Sequence, residues 1–109
     1  MTVLEFSTAL HLTAFSKGDT GCAVTGCYCG DLLSWVMGRA NPADAWITIM
    51  SSRNVAAVAS LAELSCVILA EGVQPDSDLL DAAREKGITL LGSTASVYEL
   101  AVRAGLVLR

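Results

Sequence analysis

Four cysteines, Cys22, Cys27, Cys29 and Cys66, are the side chains in this sequence best equipped for chemistry. Thiolates ligate soft metals, anchor iron–sulfur clusters and exchange disulfides. The spacing C-x4-C-x-C lacks the CxxC half-site usual in zinc and cluster sites. In an extended segment Cys27 and Cys29 share a face, whereas Cys22 lies an odd number of residues away and points oppositely. A bulge at Gly26 would restore the register, so a redox, metal or iron–sulfur sensor using Cys22, Cys27 and Cys29 stands as the alternative functional reading. Cys66 opens an apolar run and reads as a small core residue. No resident metal or cofactor is expected.

A second set of residues suits anion binding. Ser51, Ser52, Arg53 and Asn54 follow a strand-like run and precede a helical one. Ligands of open α/β sheets bind beyond the carboxyl ends of the strands, where a helix N-terminus offers free N–H groups. Two hydroxyls, a guanidinium and an amide could cradle a phosphate or carboxylate there. The competing reading is that Ser52 or Asn54 caps the helix and Arg53 is solvated. Thr25 and Gly26, inside GDTGCAVTGCYCGD, form another small-residue stretch that allows close backbone approach. Its alternative is a turn followed by a bulged strand. Neither a Walker Gly-Lys-Ser/Thr nor a GxGxxG is present.

Acid–base chemistry is thinly provided. His11 is the single histidine and has no nucleophile beside it in sequence. Asp78, Asp81 and Glu85 fall on the wet side of one helical pattern, Asp31 reads as an N-cap and Asp44 as a turn residue. No nucleophile, base and orienting group come together, so an enzyme is not expected.

The elements that must position these residues alternate along the chain. Thr2 caps a short helix from Leu4 to Leu10, and His11 to Phe15 is extended. Cys22 to Cys29 is extended again. Asp31 caps a helix through Met37 that Gly38 stops. Ala45 to Met50 (AWITIM) is a β-branched and aromatic strand. A helix spans Val55 to Leu64, and Cys66 to Ala70 (CVILA) is apolar throughout, as in a strand covered on both faces. Asp76 caps a helix from Ser77 to Lys86, burying Leu79, Leu80 and Ala83, that Gly87 terminates. Ile88 to Leu91 is the next strand. A last helix runs from about Thr94 to Arg103, with Ser96 and Glu99 as its capping box and Gly105 as its stop. Repeated strand–helix–strand units predict an α/β fold: a layered, mostly parallel sheet flanked by helices, in a single domain over residues 1–109.

Composition narrows the function classes. Seven Lys+Arg against eleven Asp+Glu leave a net charge of −4 and no basic footprint for nucleic acid. The longest apolar stretch, Val55 to Ala70, is broken by Ser60, Glu63 and Ser65 and is too short to span a membrane. The N-terminus has no secretory design, so a cytoplasmic protein with reduced thiols is expected. Charged residues are only 17% against 53% hydrophobic. The helices from Asp31 to Met37 and from Val55 to Leu64 are apolar around much of their circumference. Trp35, Val36, Val55 and Val58 are therefore the expected contacts of a homodimer, with an unidentified protein partner also open.

The segment from Val24 to Ser34, followed by Val36-Met37-Gly38, resembles the DRTGG domain family. Asp44-Ala45-Trp46-Ile47-Thr48-Ile49 and the run from Asn54 to Leu61 match its next block. The resemblance covers about residues 2 to 105. Such domains occur alone, beside nucleotide-binding CBS domains in regulated pyrophosphatases, and in some phosphotransacetylases. Their fold is similar to that of the N-terminal domain of HPr kinase/phosphorylase. The resemblance implies a non-catalytic regulatory or oligomerising module, able to take a small anionic or nucleotide-like ligand at strand C-terminal ends. Thr25 and Gly26 of the motif remain. Gly21 and Cys22 stand in place of its Asp and Arg, and Cys27 replaces its final Gly. Any ligand contact made by the missing pair is either lost or passed to another residue such as Arg53.

Overall fold

In the computed structural model, which describes residues 1–108, the first helix is held at its start by a reciprocal cap. The Thr2 hydroxyl accepts from the Glu5 amide and the Glu5 carboxylate accepts from the Thr2 amide, opening α1 (Val3–Ala9). There follow β1 (Thr13–Ser16), β2 (Gly26–Cys29), α2 (Leu33–Arg39), β3 (Asp44–Thr48), α3 (Asn54–Leu61), β4 (Cys66–Leu69), α4 (Ser77–Lys86), β5 (Leu90–Gly92) and α5 (Val97–Leu108). The strands form one sheet in the order β1-β5-β4-β3-β2. β2 through β5 are parallel, and β1 is appended antiparallel to β5 with a register shift between Ala14 and Ser16. This is the mostly parallel α/β architecture expected.

Each crossover from β2 to β5 moves to the adjacent strand in one direction, so right-handed connections put α2, α3 and α4 on the same face. The packing agrees. Val36, Val55, Ala56, Val58, Ala59, Leu79, Ala82 and Ala83 from these helices bury against Trp46, Val67, Leu69 and Leu90. On the opposite face Val3 and Phe6 of α1, its C-cap Leu10, and Leu100 and Ala104 of α5 bury against Ala45, Ile47, Cys66, Ile68 and Leu91. The strands supply both faces by alternation, which is why AWI and CVIL are apolar on consecutive positions.

Several local expectations are corrected. Asp31 does not cap α2, whose N-cap is Leu32 without a side-chain bond. Its carboxylate instead accepts from the Thr48 hydroxyl at 2.8 Å and the Ile49 amide at 3.0 Å, tying the end of β2 to the end of β3. Neither Ser52 nor Asn54 caps α3, whose N-cap is Arg53, again with no side-chain bond. Asp76 is the N-cap of α4 but makes no capping bond, and Leu80 is half-buried while Ala82 is buried. Gly38 and Gly105 lie inside α2 and α5 rather than ending them. Gly87 does end α4, in the left-handed conformation at φ 67°. The capping box of Ser96 and Glu99 forms.

The apolar circumference of α3 is largely covered by the chain itself, whereas α2 buries Val36 and leaves Trp35 and Met37 exposed. Val36 and Val55 are fully buried and Val58 nearly so, within the core under α2–α4, so they are not free to meet a second copy. Of the four expected contact residues, Trp35 alone is exposed, at 51%, with the Arg39 guanidinium 3.6 Å from the centre of its ring. The small residues of α3 let α2 and α4 close over it.

Candidate functional site at the carboxyl edge of the sheet

Four loops leave the carboxyl ends of the parallel strands, and hydrogen bonds join them into one belt. Asp31 links the loop after β2 to that after β3. The Asp76 amide donates to the Ser51 carbonyl at 3.0 Å, joining the loops after β3 and β4. The amides of Glu71 and Gly72 donate to the carbonyls of Ala95 and Ser93, joining those after β4 and β5. Glu71 and Gly72 both adopt positive φ, 62° and 73°. For Glu71 that conformation is strained, and its amide bond to Ala95 holds it.

The belt opens at one place. α4 leaves β4 for one face and α5 leaves β5 for the other, so beyond the two bonds that join their bases the loops diverge. This is the topological switch point at which open α/β sheets form crevices. A recess of about 270 Å³ lies there, lined by Thr13 and Phe15 of β1, by Gly72, Val73 and Gln74, and by Gly92, Ser93 and Thr94. Its hydroxyls and amide surround an apolar floor, and no charged side chain lines it. The Phe15 ring lies so close to Gly92 that a Cβ there would clash with it. The Ser93 hydroxyl accepts from the Ala95 amide at 3.0 Å.

The residues singled out from sequence are divided by this geometry. Ser51, Ser52, Arg53 and Asn54 do stand on the carboxyl edge, at the N-terminus of α3, with Arg53 and Asn54 exposed. Thr25 and Gly26 do not join them. They lie at the amino end of β2, opposite Asp44, and the length of β3 separates the two groups by roughly 15 Å. No bulge occurs at Gly26. The residue is needed because Asp44 Oδ1 would be 2.5 Å from a Cβ, while Asp44 Oδ2 accepts from the Asn41 amide at 2.8 Å. The TG pair therefore holds the β2–β3 junction. Counted back from Thr25, the two residues ahead of it are Ala23 and Val24 rather than Gly21 and Cys22. Val24 is buried in the core under α1 and α5, and Ala23 bridges to Thr2, so these two positions serve packing and pairing.

The crevice residues were not found from sequence. The signal available was Gly92-Ser93-Thr94 directly after a strand, but periodicity does not say that α5 crosses to the other face.

The cysteines occupy the face under α1 and α5. Cys27 and Cys29 share β2, and the Cys22 thiol donates to the Asp19 carbonyl at 3.1 Å. Burial pushes the Cys66 thiol up to about 12. Among the described residues no group of three or more His, Cys, Asp or Glu could hold a metal ion, which counts against the cluster reading of Cys22, Cys27 and Cys29. No helix among them is long and apolar enough to cross a membrane.

Fold and edge together define a three-layer α/β/α domain with sequentially ordered parallel strands and a crevice at the β4–β5 switch. The same fold occurs in the crystal structure of the CBS and DRTGG domains of the regulatory region of Clostridium perfringens pyrophosphatase, complexed with its activator, diadenosine tetraphosphate. The superposition has a TM-score of 0.73 at 12% sequence identity and covers 94% of this chain but 45% of that one. No protein-family model matches the chain, and no curated protein matches it in sequence.

Proposed function

We propose that the chain is a DRTGG-type regulatory and oligomerising module, not a catalyst, which takes a small anionic or nucleotide-like ligand at the carboxyl edge. The observation that carries this reading is the likeness, over nearly the whole chain, to a regulatory region bound to a nucleotide activator. The edge supports it chemically. Arg53 and the uncapped N-terminus of α3 offer positive charge to phosphate. The neighbouring crevice, uncharged and floored by Phe15 and Val73, suits a ring or sugar. The bond between Asp76 and Ser51 holds the two loops side by side.

Self-association belongs to the same reading. Leu32, Trp35 and Met37 expose apolar surface on and beside α2, and this face, not the buried valines, is the one offered to a second copy.

Thermal unfolding in the presence of ADP, ATP and diadenosine tetraphosphate tests the ligand. At least one is expected to raise the melting temperature, and Arg53→Glu is expected to abolish that rise without moving the unliganded midpoint. A rise that survives in Arg53→Glu, or none with any of the three, overturns the proposed site. Native mass spectrometry tests assembly: a dimer converted to monomer by Trp35→Glu supports it, and a monomer at all concentrations rejects it.

A further inference from the structure

Cys27 and Cys29 are alternate residues of β2, an edge strand of the sheet, and both project to the face covered by α1 and α5. They line a recess of about 420 Å³ with Gly26, Ala101, Gly105 and Leu108. The recess exists because α5 presents no side chain at Gly105, where a Cβ would meet nothing within 4 Å. Cys29 is exposed and Cys27 half-buried, so one sulfur is at the mouth and the other behind it.

We propose that this recess is a thiol–disulfide exchange site whose substrate is a low-molecular-weight disulfide and whose attacking atom is the Cys29 sulfur. The Cys29 thiolate attacks one sulfur of the incoming disulfide. A bond forms between Cys29 and that sulfur as the substrate's own S–S bond breaks. The departing thiolate carries away the electron pair and takes a proton from solvent. Cys29 is thereby oxidised to a mixed disulfide and half of the substrate is reduced to a free thiol.

The surroundings favour this assignment. The neighbouring Cys27 brings the Cys29 thiol down to about 7, and Cys29 in turn keeps Cys27 protonated. Asp31 opposes the first effect, and Asp44 and Cys66 reinforce the second. The lining contributed by α5 carries no charge. A substantial fraction of Cys29 is thus the nucleophilic form at neutral pH. The recess gives the retained small thiol somewhere to lie. An internal bridge is disfavoured: alternate residues of an extended strand are roughly 6.6 Å apart at Cα, at the upper limit of disulfide geometry. Cys27 is therefore a positioning residue rather than a resolving one.

The test treats the reduced full chain with oxidised glutathione at pH 7.5 and maps adducts by intact-mass and peptide mass spectrometry. One glutathione moiety on Cys29 is expected, absent in Cys29→Ser and formed at least fivefold more slowly in Cys27→Ala. Gly105→Leu, which fills the recess, is expected to slow it as well while the circular dichroism spectrum is unchanged. Cys22→Ser is expected to have no effect. Equal labelling of Cys22 and Cys29, a rate no faster than in urea, or loss of two hydrogens with no adduct overturns the proposal.

Discussion

The two faces of the sheet are covered unequally. Three helices, α2, α3 and α4, close over one face, and their small residues pack tightly around Trp46, whose indole N–H donates to the Gly30 carbonyl at 2.8 Å. Two helices, α1 and α5, cover the other, and between α5 and the β2 edge they leave a recess. Each face holds a comparable set of buried apolar side chains. What differs is where the cover runs out. The closed face carries stability and little chemistry, while the thinner face carries the thiols and the gap that reaches them.

Trp46→Ala should produce the largest effect if this contrast is right. It removes a fully buried indole and orphans the Gly30 carbonyl, so about 4 kcal/mol or more of stability should be lost in urea unfolding. Leu100→Ala on the thinner face should cost only about 2–3 kcal/mol, because α5 has room to settle into the recess and shrink the cavity. Equal losses from the two variants would show that both faces are packed alike.

Alkaline pH should separate the faces next. The folded chain ionises Cys29 near pH 7 while the unfolded chain holds that proton to about pH 9, so this thiol adds stability as pH rises between those values. Above pH 9 the unfolded chain releases protons that folded Cys66 and Cys27 retain, and stability falls by up to about 1.4 kcal/mol per pH unit for each group. Urea midpoints at pH 8, 9 and 10 should therefore pass through a maximum, and Cys66→Ala should flatten the alkaline decline. A decline unchanged in Cys66→Ala would remove Cys66 as its cause, and one unchanged in the Cys27→Ala, Cys66→Ala double variant would remove both thiols.

The smallest effect concerns the helix glycines. Neither Gly38 nor Gly105 has a neighbour within 4 Å of a built Cβ, and neither has positive φ. Alanine at either site should add about 0.5–1 kcal/mol through helix propensity and lost chain entropy. Only Gly105→Ala should also slow alkylation of Cys29, since only that glycine lies over the thiols.

Much of the fold was legible in the sequence because its signals are local. CVILA is apolar on both faces, Gly87 supplies the left-handed stop, and Ser96 and Glu99 form their box. The failures arise where a residue answers to something distant. Asp31 sits where a cap belongs, but Thr48 and Ile49, brought beside it by β3, take its carboxylate. The glycines within α2 and α5 look like stops because sequence cannot show that the helix continues. The candidate site was half legible: the Ser51–Asn54 loop follows from strand then helix, whereas the crevice depends on α5 changing face. Thr25 and Gly26 were grouped with that loop by residue type, although strand direction places them at the other edge.

The pairing of β1 has a consequence for the order of folding. β2, β3, β4 and β5 each join a neighbour roughly twenty positions away, so these rungs close through short loops and can form one after another. Thr13, in contrast, must wait for Gly92, and Gly18 for the hydroxyl of Thr89. The strand that comes first in this sequence is therefore among the last to find its place. During that interval the β5 edge is uncovered, and the chain is at its most prone to pair with a neighbour instead of with itself.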